Sequence, residues 1–171
     1  MGFWFPDTKI FRKKAVIFVV LVLVLFFIRF FSERQLDDVH SGIDCDLELM
    51  RKADVYYVIP AYNGELINES PEWCAEILRM DRELAMHGVY HTYREFGEPR
   101  DSEYVNFGVR VFEDCFGQVP TRFKPPQAYI TKENDWMSDR FDMDSSLNSL
   151  FHKVYHCGDT GLYPNWLVDL F

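Results

Sequence analysis

A chain of 171 residues, 48% of them hydrophobic, has room for one domain and little else. Its net charge of −9 is unevenly placed, because beyond residue 35 there are 12 Lys/Arg against 25 Asp/Glu, a net of −13. Such a surface repels nucleic-acid phosphates, so no nucleic-acid partner is expected; a neutral or cationic sugar polymer is not excluded.

Residues 1–14 make a short basic N-terminus carrying Lys9, Arg12, Lys13 and Lys14. From Ala15 to Ile28 no side chain holds a polar atom, and Phe30 and Phe31 extend the run past Arg29. As a helix, residues 15–31 reach ~25 Å, near the lower limit for crossing a bilayer. The stretch is apolar all round, unlike a core helix, and FFSERQL follows it where a cleaved signal peptide has small residues. It therefore reads as an uncleaved signal anchor, with Arg29 close enough to the end to reach the interface. The basic flank keeps the N-terminus cytoplasmic and places residues 32–171 in a lumen or outside the cell, with the bilayer itself as partner.

The outer part alternates between short helices and strands. Asp46–Ala53 reads as a helix, Val55–Pro60 as a strand, and AYNGELIN as a loop. Ser70 and Pro71 open a helix whose buried side is expected from Trp73, Ile77, Leu78 and the region of Leu84. Leu84–His91 reads as a short strand that leaves its line at Gly88. Another helix starts at Asp101 or Ser102, with Val105, Val109, Phe112 and Phe116 on one face and Gly117 at its end. FKPPQAYIT is extended by its prolines, Leu147–Phe151 is a short helix, and KVYHC is a last strand. This alternation predicts a parallel α/β sheet or barrel with its chemistry at the C-terminal ends of the strands. Cys45, Cys74, Cys115 and Cys157 allow two disulfides on an oxidising side, in any of three connectivities. Asn68-Glu69-Ser70 is a glycosylation sequon consistent with that side.

Three clusters carry chemistry. Adjacent carboxylates such as Asp37-Asp38 repel, and a pair held together needs a cation or a retained proton. His87 and His91 face one way on a strand but would stand ~13 Å apart if it stayed straight, too far to share an ion. Sharing one requires the backbone to curl after His87, which Gly88 permits. The third cluster is Lys124-Pro125-Pro126-Gln127 together with the later His156.

In order along the chain, these fragments resemble the NodB-type polysaccharide deacetylases (carbohydrate esterase family four). The phrasing is nearest to a divergent branch whose second motif reads LHGYTH, here MHGVYH. VYYVIPAYNG and the stretch from Phe116 to Pro126 fit that branch too, so the resemblance covers roughly residues 36–160. It implies a truncated, irregular (β/α) barrel preceded by one transmembrane helix. It further implies that Asp38, His87 and His91 bind a divalent metal, usually Zn2+, that Asp37 is the general base and that His156 is the general acid. Lys124 and Pro126 would support the base or the substrate, Lys124 standing where the family has an arginine. The lead-in SERQL is polar and short for a central strand, and Trp136 and Trp166 are both candidates for the family's tryptophan. The reading is a membrane-anchored, metal-dependent hydrolase that removes acetyl groups from an N- or O-acetylated glycan. The alternative is a catalytically degenerate relative, a membrane-tethered binding or assembly module of viral or organellar kind.

Overall fold

The structure, a computed structural model, describes residues 8–144 and 147–170; residues 1–7 of the basic N-terminus lie outside the described residues. Helix α1 (Thr8–Phe31) takes in the whole apolar stretch. From Arg12 to Phe31 it is long and apolar enough to cross a membrane, and its side chains stand largely exposed instead of forming core. Only Ser32 and Glu33 separate it from strand β1 (Arg34–Val39).

Helix α2 (Leu47–Lys52) starts at Asp46, whose carboxylate accepts from the Glu48 amide at 2.7 Å. After β2 (Val55–Val58), the segment expected to be a plain loop forms a small antiparallel hairpin, β3 (Ala61–Tyr62) and β4 (Glu65–Leu66), around Asn63-Gly64. Helix α3 (Pro71–Arg79) begins at its proline as expected, though the Ser70 side chain makes no capping bond. Its buried side is narrower than the sequence suggests. Ile77 is buried, but Leu78 is exposed and Leu84 belongs to β5 (Glu83–His87). Helix α4 (Ser102–Phe116) buries Val105, Val109, Phe112 and Phe116 and stops at Gly117, whose φ of +68° suits glycine. The remaining elements are β6 (Arg122–Lys124), β7 (Asp142–Met143), α5 (Asn148–Phe151), β8 (Lys153–His156) and α6 (Asn165–Leu170). The proline-rich stretch after β6 does not stay extended. It turns at Pro126–Ala128, where Gln127 and Ala128 take φ of +52° and +49°.

Six strands form one sheet in the order β7-β6-β5-β2-β1-β8, and every pairing is parallel. Apart from the hairpin, each strand pairs with its successor in the chain and the last pairs with the first. Among the described residues only a β7–β8 pairing is missing, so this is a truncated (β/α) barrel left open along one seam. Leu36, Tyr56, Val58, Leu84, Met86, Phe123 and Tyr155 point outward into the core shared with the helices. Val55, Tyr57 and Ala85 form a separate small cluster on the inner face.

The polar lead-in to β1 is explained by what that inner face holds. Despite its composition, β1 lies inside the sheet, between β2 and β8. Gln35 is fully buried and accepts from Lys124 Nζ at 2.7 Å, while Glu33 takes Arg122 through two bonds of 3.0 and 3.1 Å. Arg122 also reaches Glu83, Asp144 and the Tyr57 hydroxyl, and that hydroxyl donates to Asp144. A barrel lined with paired polar groups needs polar strands. Two disulfides, Cys45–Cys157 and Cys74–Cys115, select one of the three connectivities. The first ties the loop after β1 to the end of β8, and the second ties α3 to α4.

Candidate metal centre

The two aspartates share a site because β1 breaks its own alternation. Its register against β2 slips between Leu36 and Val39, and Asp38 sits there at φ +62°. This bulge turns consecutive side chains inward together, leaving both carboxylates almost wholly buried. A positive φ is unusual for a residue with a Cβ, and the strain is held by the paired strands on either side.

His87 ends β5, and the chain curls at Gly88 (φ +64°), as the spacing of the histidines demands. A Cβ there would collide with a Glu95 oxygen and come within 2.6 Å of Pro126 Cγ. His91 then folds back, also at positive φ, so that its Nε2 faces His87 Nε2 across 3.2 Å. The device that holds this curl is Glu95. Its buried carboxylate accepts the amides of Val89, Tyr90 and His91 at 3.0 Å each, and the Tyr104 hydroxyl at 2.6 Å.

Asp38 Oδ1 lies 3.0 Å from His91 Nε2 and 3.5 Å from His87 Nε2. An ion held tetrahedrally by bonds of 2.0–2.2 Å separates its ligand atoms by ~3.3 Å. The three edges observed here, 3.0, 3.2 and 3.5 Å, bracket that value. Oδ1 is buried and accepts no well-aligned hydrogen bond despite its short distance to His91, whereas Oδ2 accepts from Thr160 Oγ1 at 2.6 Å. An orphaned carboxylate oxygen facing two imidazole nitrogens is what a divalent cation satisfies. The His87 tautomer agrees: Nδ1 lies 3.0 Å from the Lys124 carbonyl, which can only accept, so Nδ1 carries the proton and Nε2 keeps its lone pair. Burial pushes His87 down to about 4, keeping the ring neutral. The residues present fit a metal.

The charges of the other members follow from their neighbours. Burial alone would raise Asp38, but the facing His91 and His87 imidazoles and the Thr160 hydroxyl bond outweigh it and hold the carboxylate well below its usual range. Burial would likewise lower His91, yet the Asp38 carboxylate raises it above the ordinary histidine value. Asp37 is also held low, because Lys124 and the nearby histidines more than offset its burial.

Asp37 stands beside the triad. Its Oδ1 accepts from Lys124 Nζ at 2.7 Å; its Oδ2 is 3.8 Å from His87 Nε2 and 3.7 Å from His156 Nε2. Lys124 is almost wholly buried and lies 3.9 Å above the Tyr57 ring. His156 is only partly buried and is set by Asn165, which accepts its amide at 2.9 Å and donates to its carbonyl at 2.8 Å. The residues implied as ligands, base and acid thus all line one cavity of about 640 Å³. Pro126 does not line it; it packs beneath Gly88 and supports the loop from behind. Neither tryptophan reaches it: Trp136 donates to the Arg100 carbonyl at 3.2 Å, and Trp166 is exposed on α6.

Glu95, Thr160, Gln35 and Tyr57 were not singled out from the sequence. Glu95 lies in an unremarkable TYREFGE stretch and declares itself only through the amides it collects. The Gly-Asp-Thr-Gly run after β8 was a turn signal from which Thr160 could have been suspected.

No family model and no curated protein sequence matches the chain. Among solved structures it is similar to the Xyl-CE4 domain of a multidomain xylanase from the hindgut metagenome of Trinervitermes trinervoides, at 16% identity and a TM-score of 0.47 over 66% of this chain and 56% of that one. It is similar to a polysaccharide deacetylase from Bacillus cereus at 14% identity and a TM-score of 0.49, over 72% of this chain and 76% of that one. A mutant of a CE4 family pseudoenzyme with restored activity gives 13% identity and a TM-score of 0.46, over 65% of this chain and 42% of that one. The chain spans about half the length of two of these three. They belong to the family that the sequence motifs resemble, and at these scores they stand as likenesses alone.

Proposed function

We propose that the chain is a membrane-anchored, divalent-metal-dependent hydrolase that removes acetyl groups from an N-acetylated (or O-acetylated) glycan. The observation that carries the reading is the convergence of Asp38 Oδ1, His87 Nε2 and His91 Nε2 within ion-sharing distance, beside a second carboxylate and a third imidazole. The apolar, exposed α1 supports anchoring, and the basic residues that precede it support the lumenal or outer side for the domain.

Asp38, His87 and His91 would hold the ion, most simply Zn2+, leaving a coordination position open. Bound there, it supplies Lewis acidity toward an acyl carbonyl and toward water. Asp37 Oδ2 is the free oxygen of a carboxylate kept ionised by Lys124, so it takes the proton from the attacking water. Lys124 keeps the charge of the family's arginine but offers one donor to Asp37 and a second to Gln35. His156, whose Nε2 lies 3.7 Å from Asp37 Oδ2, gives a proton to the departing nitrogen as the acyl C–N bond breaks. Amide and water become acetate and amine.

The test has two parts. Purified full-length protein is expected to bind one zinc, and His87→Ala with His91→Ala to bind none. Acetate release from N-acetylchitooligosaccharides is expected to fall at least ~100-fold in Asp37→Asn while zinc is retained. Equal zinc in wild type and the double variant, or full activity in Asp37→Asn, would overturn the assignment.

A further inference from the structure

The cavity that holds the metal centre is walled partly by the membrane anchor itself. Arg29, two residues before the end of α1, lines the same cavity as Asp38, His87 and His91, and its Nη1 donates to the Leu150 carbonyl at 2.9 Å. Leu150 belongs to α5, which lies in the chain between β7 and β8, the two strands left unpaired with each other among the described residues, and which packs against both α1 and β8. The lateral opening of the barrel is therefore turned toward the end of the anchor. With Ser32 and Glu33 alone between α1 and β1, an extended connection spans at most ~10 Å. The domain has no stalk on which to rise from the bilayer.

The rim of this opening is apolar. Leu150, Leu162 and Tyr163 line the cavity and are exposed, Leu162 to 88%. Trp166 and Leu170 continue the exposed apolar surface along α6. An aromatic and leucine rim beside a spanning helix has the chemistry of the membrane–water interface, and Arg29 supplies a cation at that level. A free polysaccharide has no use for such a wall. Deep in the cavity the groups are ionic; at its mouth they are greasy. That gradient fits an amphiphile.

Resting on the deacetylase reading, we infer that the substrate is a membrane-embedded glycolipid. Its acetylated sugar head would reach the metal centre through the open seam while its lipid chain stays against Leu150, Leu162 and Tyr163.

The experiment uses full-length protein in phosphatidylcholine nanodiscs loaded with zinc. The probes are an alkyl N-acetylglucosaminide of twelve carbons carrying a diazirine in its chain, the same glycoside without the diazirine, and N-acetylchitotetraose. Photolabelling is expected on the 147–163 segment, and Leu150→Asp with Leu162→Asp is expected to reduce it at least fivefold while zinc content stays unchanged. Acetate release is expected to be at least tenfold more efficient from the alkyl glycoside than from the tetraose. Labelling scattered along α1 and indifferent to the substitutions, or equal turnover of both substrates, would overturn the glycolipid inference and leave deacetylation standing. Labelling at the rim without acetate from either substrate would overturn deacetylation and support the lipid-bearing occupant.

Discussion

Replacing Glu95 tests whether the metal centre depends on a loop held by a single carboxylate. Its two oxygens collect three backbone amides and one phenol, and the amides belong to the turn that brings His91 back to His87. Hydrogen bonds to a buried ionised group contribute ~1.5–3 kcal/mol each. Glu95→Ala removes four, and water entering the vacated space recovers part of the loss, so a net local cost of ~3–5 kcal/mol is reasonable on the same scale. This falls on a loop and not on the sheet, so part of it appears as easier loop opening and the remaining ~1.4–2.8 kcal/mol as lost metal affinity, ~10–100-fold as for other groups that orient ligands. Glu95→Gln keeps one accepting oxygen and should lose ~10-fold or less. The assay is zinc competition against a chromogenic chelator, with circular dichroism to show that the sheet persists. Affinities of both variants within twofold of wild type, in folded protein, would refute the claim that this carboxylate sets the ligand loop.

Other consequences are more local. Lys124→Met leaves the Asp37 charge buried without its partner and should lower stability by ~3–5 kcal/mol, while Lys124→Met with Asp37→Asn should recover most of that in a thermal-melt cycle; additive losses would contradict the pairing. Burial and the charges of Glu33 and Asp37 push Asp144 up to about 6, even with Arg122 Nη2 at 3.2 Å. The folded chain then binds the Asp144 proton more tightly than the unfolded chain, so this group's contribution to stability declines as pH rises from about 4 to about 6. Solvent reaches part of the group, so the decline is on the order of 1 kcal/mol; Asp144→Asn should remove it from the pH profile of urea unfolding. The disulfides close loops of 112 and 41 residues, so on the chain-entropy account Cys45→Ser/Cys157→Ser should cost ~5 kcal/mol and Cys74→Ser/Cys115→Ser ~4 kcal/mol. The first pair should also lower activity, since Cys157 follows His156; unchanged activity would separate the disulfide from the acid's placement.

The helices were legible because their signals are local. Asp101, the spaced valines and phenylalanines, and Gly117 define α4 almost to the residue. The curl at Gly88 was legible for a different reason: two imidazoles meant to share an ion leave the backbone few routes. What stayed hidden depends on partners distant in the chain. Ser-Glu-Arg-Gln-Leu looks wrong for an inner strand until Lys124 and Arg122, nearly ninety residues away, are placed against Gln35 and Glu33. The bulge at Asp38 was equally invisible, since strict alternation would have sent one aspartate outward. The proline stretch misled through a general rule. Pro125 does hold extended backbone, but Gln127 and Ala128 turn left-handed, and Gln127 Oε1 accepts the Arg94 amide at 2.7 Å.

The open seam and the polar interior are linked. A closed barrel of few strands fills its interior with apolar layers, and that packing helps hold the wall together. Here β7 and β8 are unpaired with each other among the described residues and the sheet is open from the side, so an apolar filling near the seam would be exposed and a paired ionic one costs less. Glu33, Tyr57, Arg122 and Asp144 supply that filling below the metal centre, while Gln35 and Lys124 continue it up to Asp37. One ladder of hydrogen bonds, joined where Gln35 Nε2 donates to Glu33 Oε1 at 2.9 Å, thus runs from beside α1 to the proposed base. Its lowest members, Glu33 on the two-residue connection and Arg122 on β6, couple the position of α1 to the inner face of the sheet. Helix α1 is therefore tied to the hydrogen bonding of the domain's interior, and removing residues 1–31 should disturb the site more than cutting a flexible tether would.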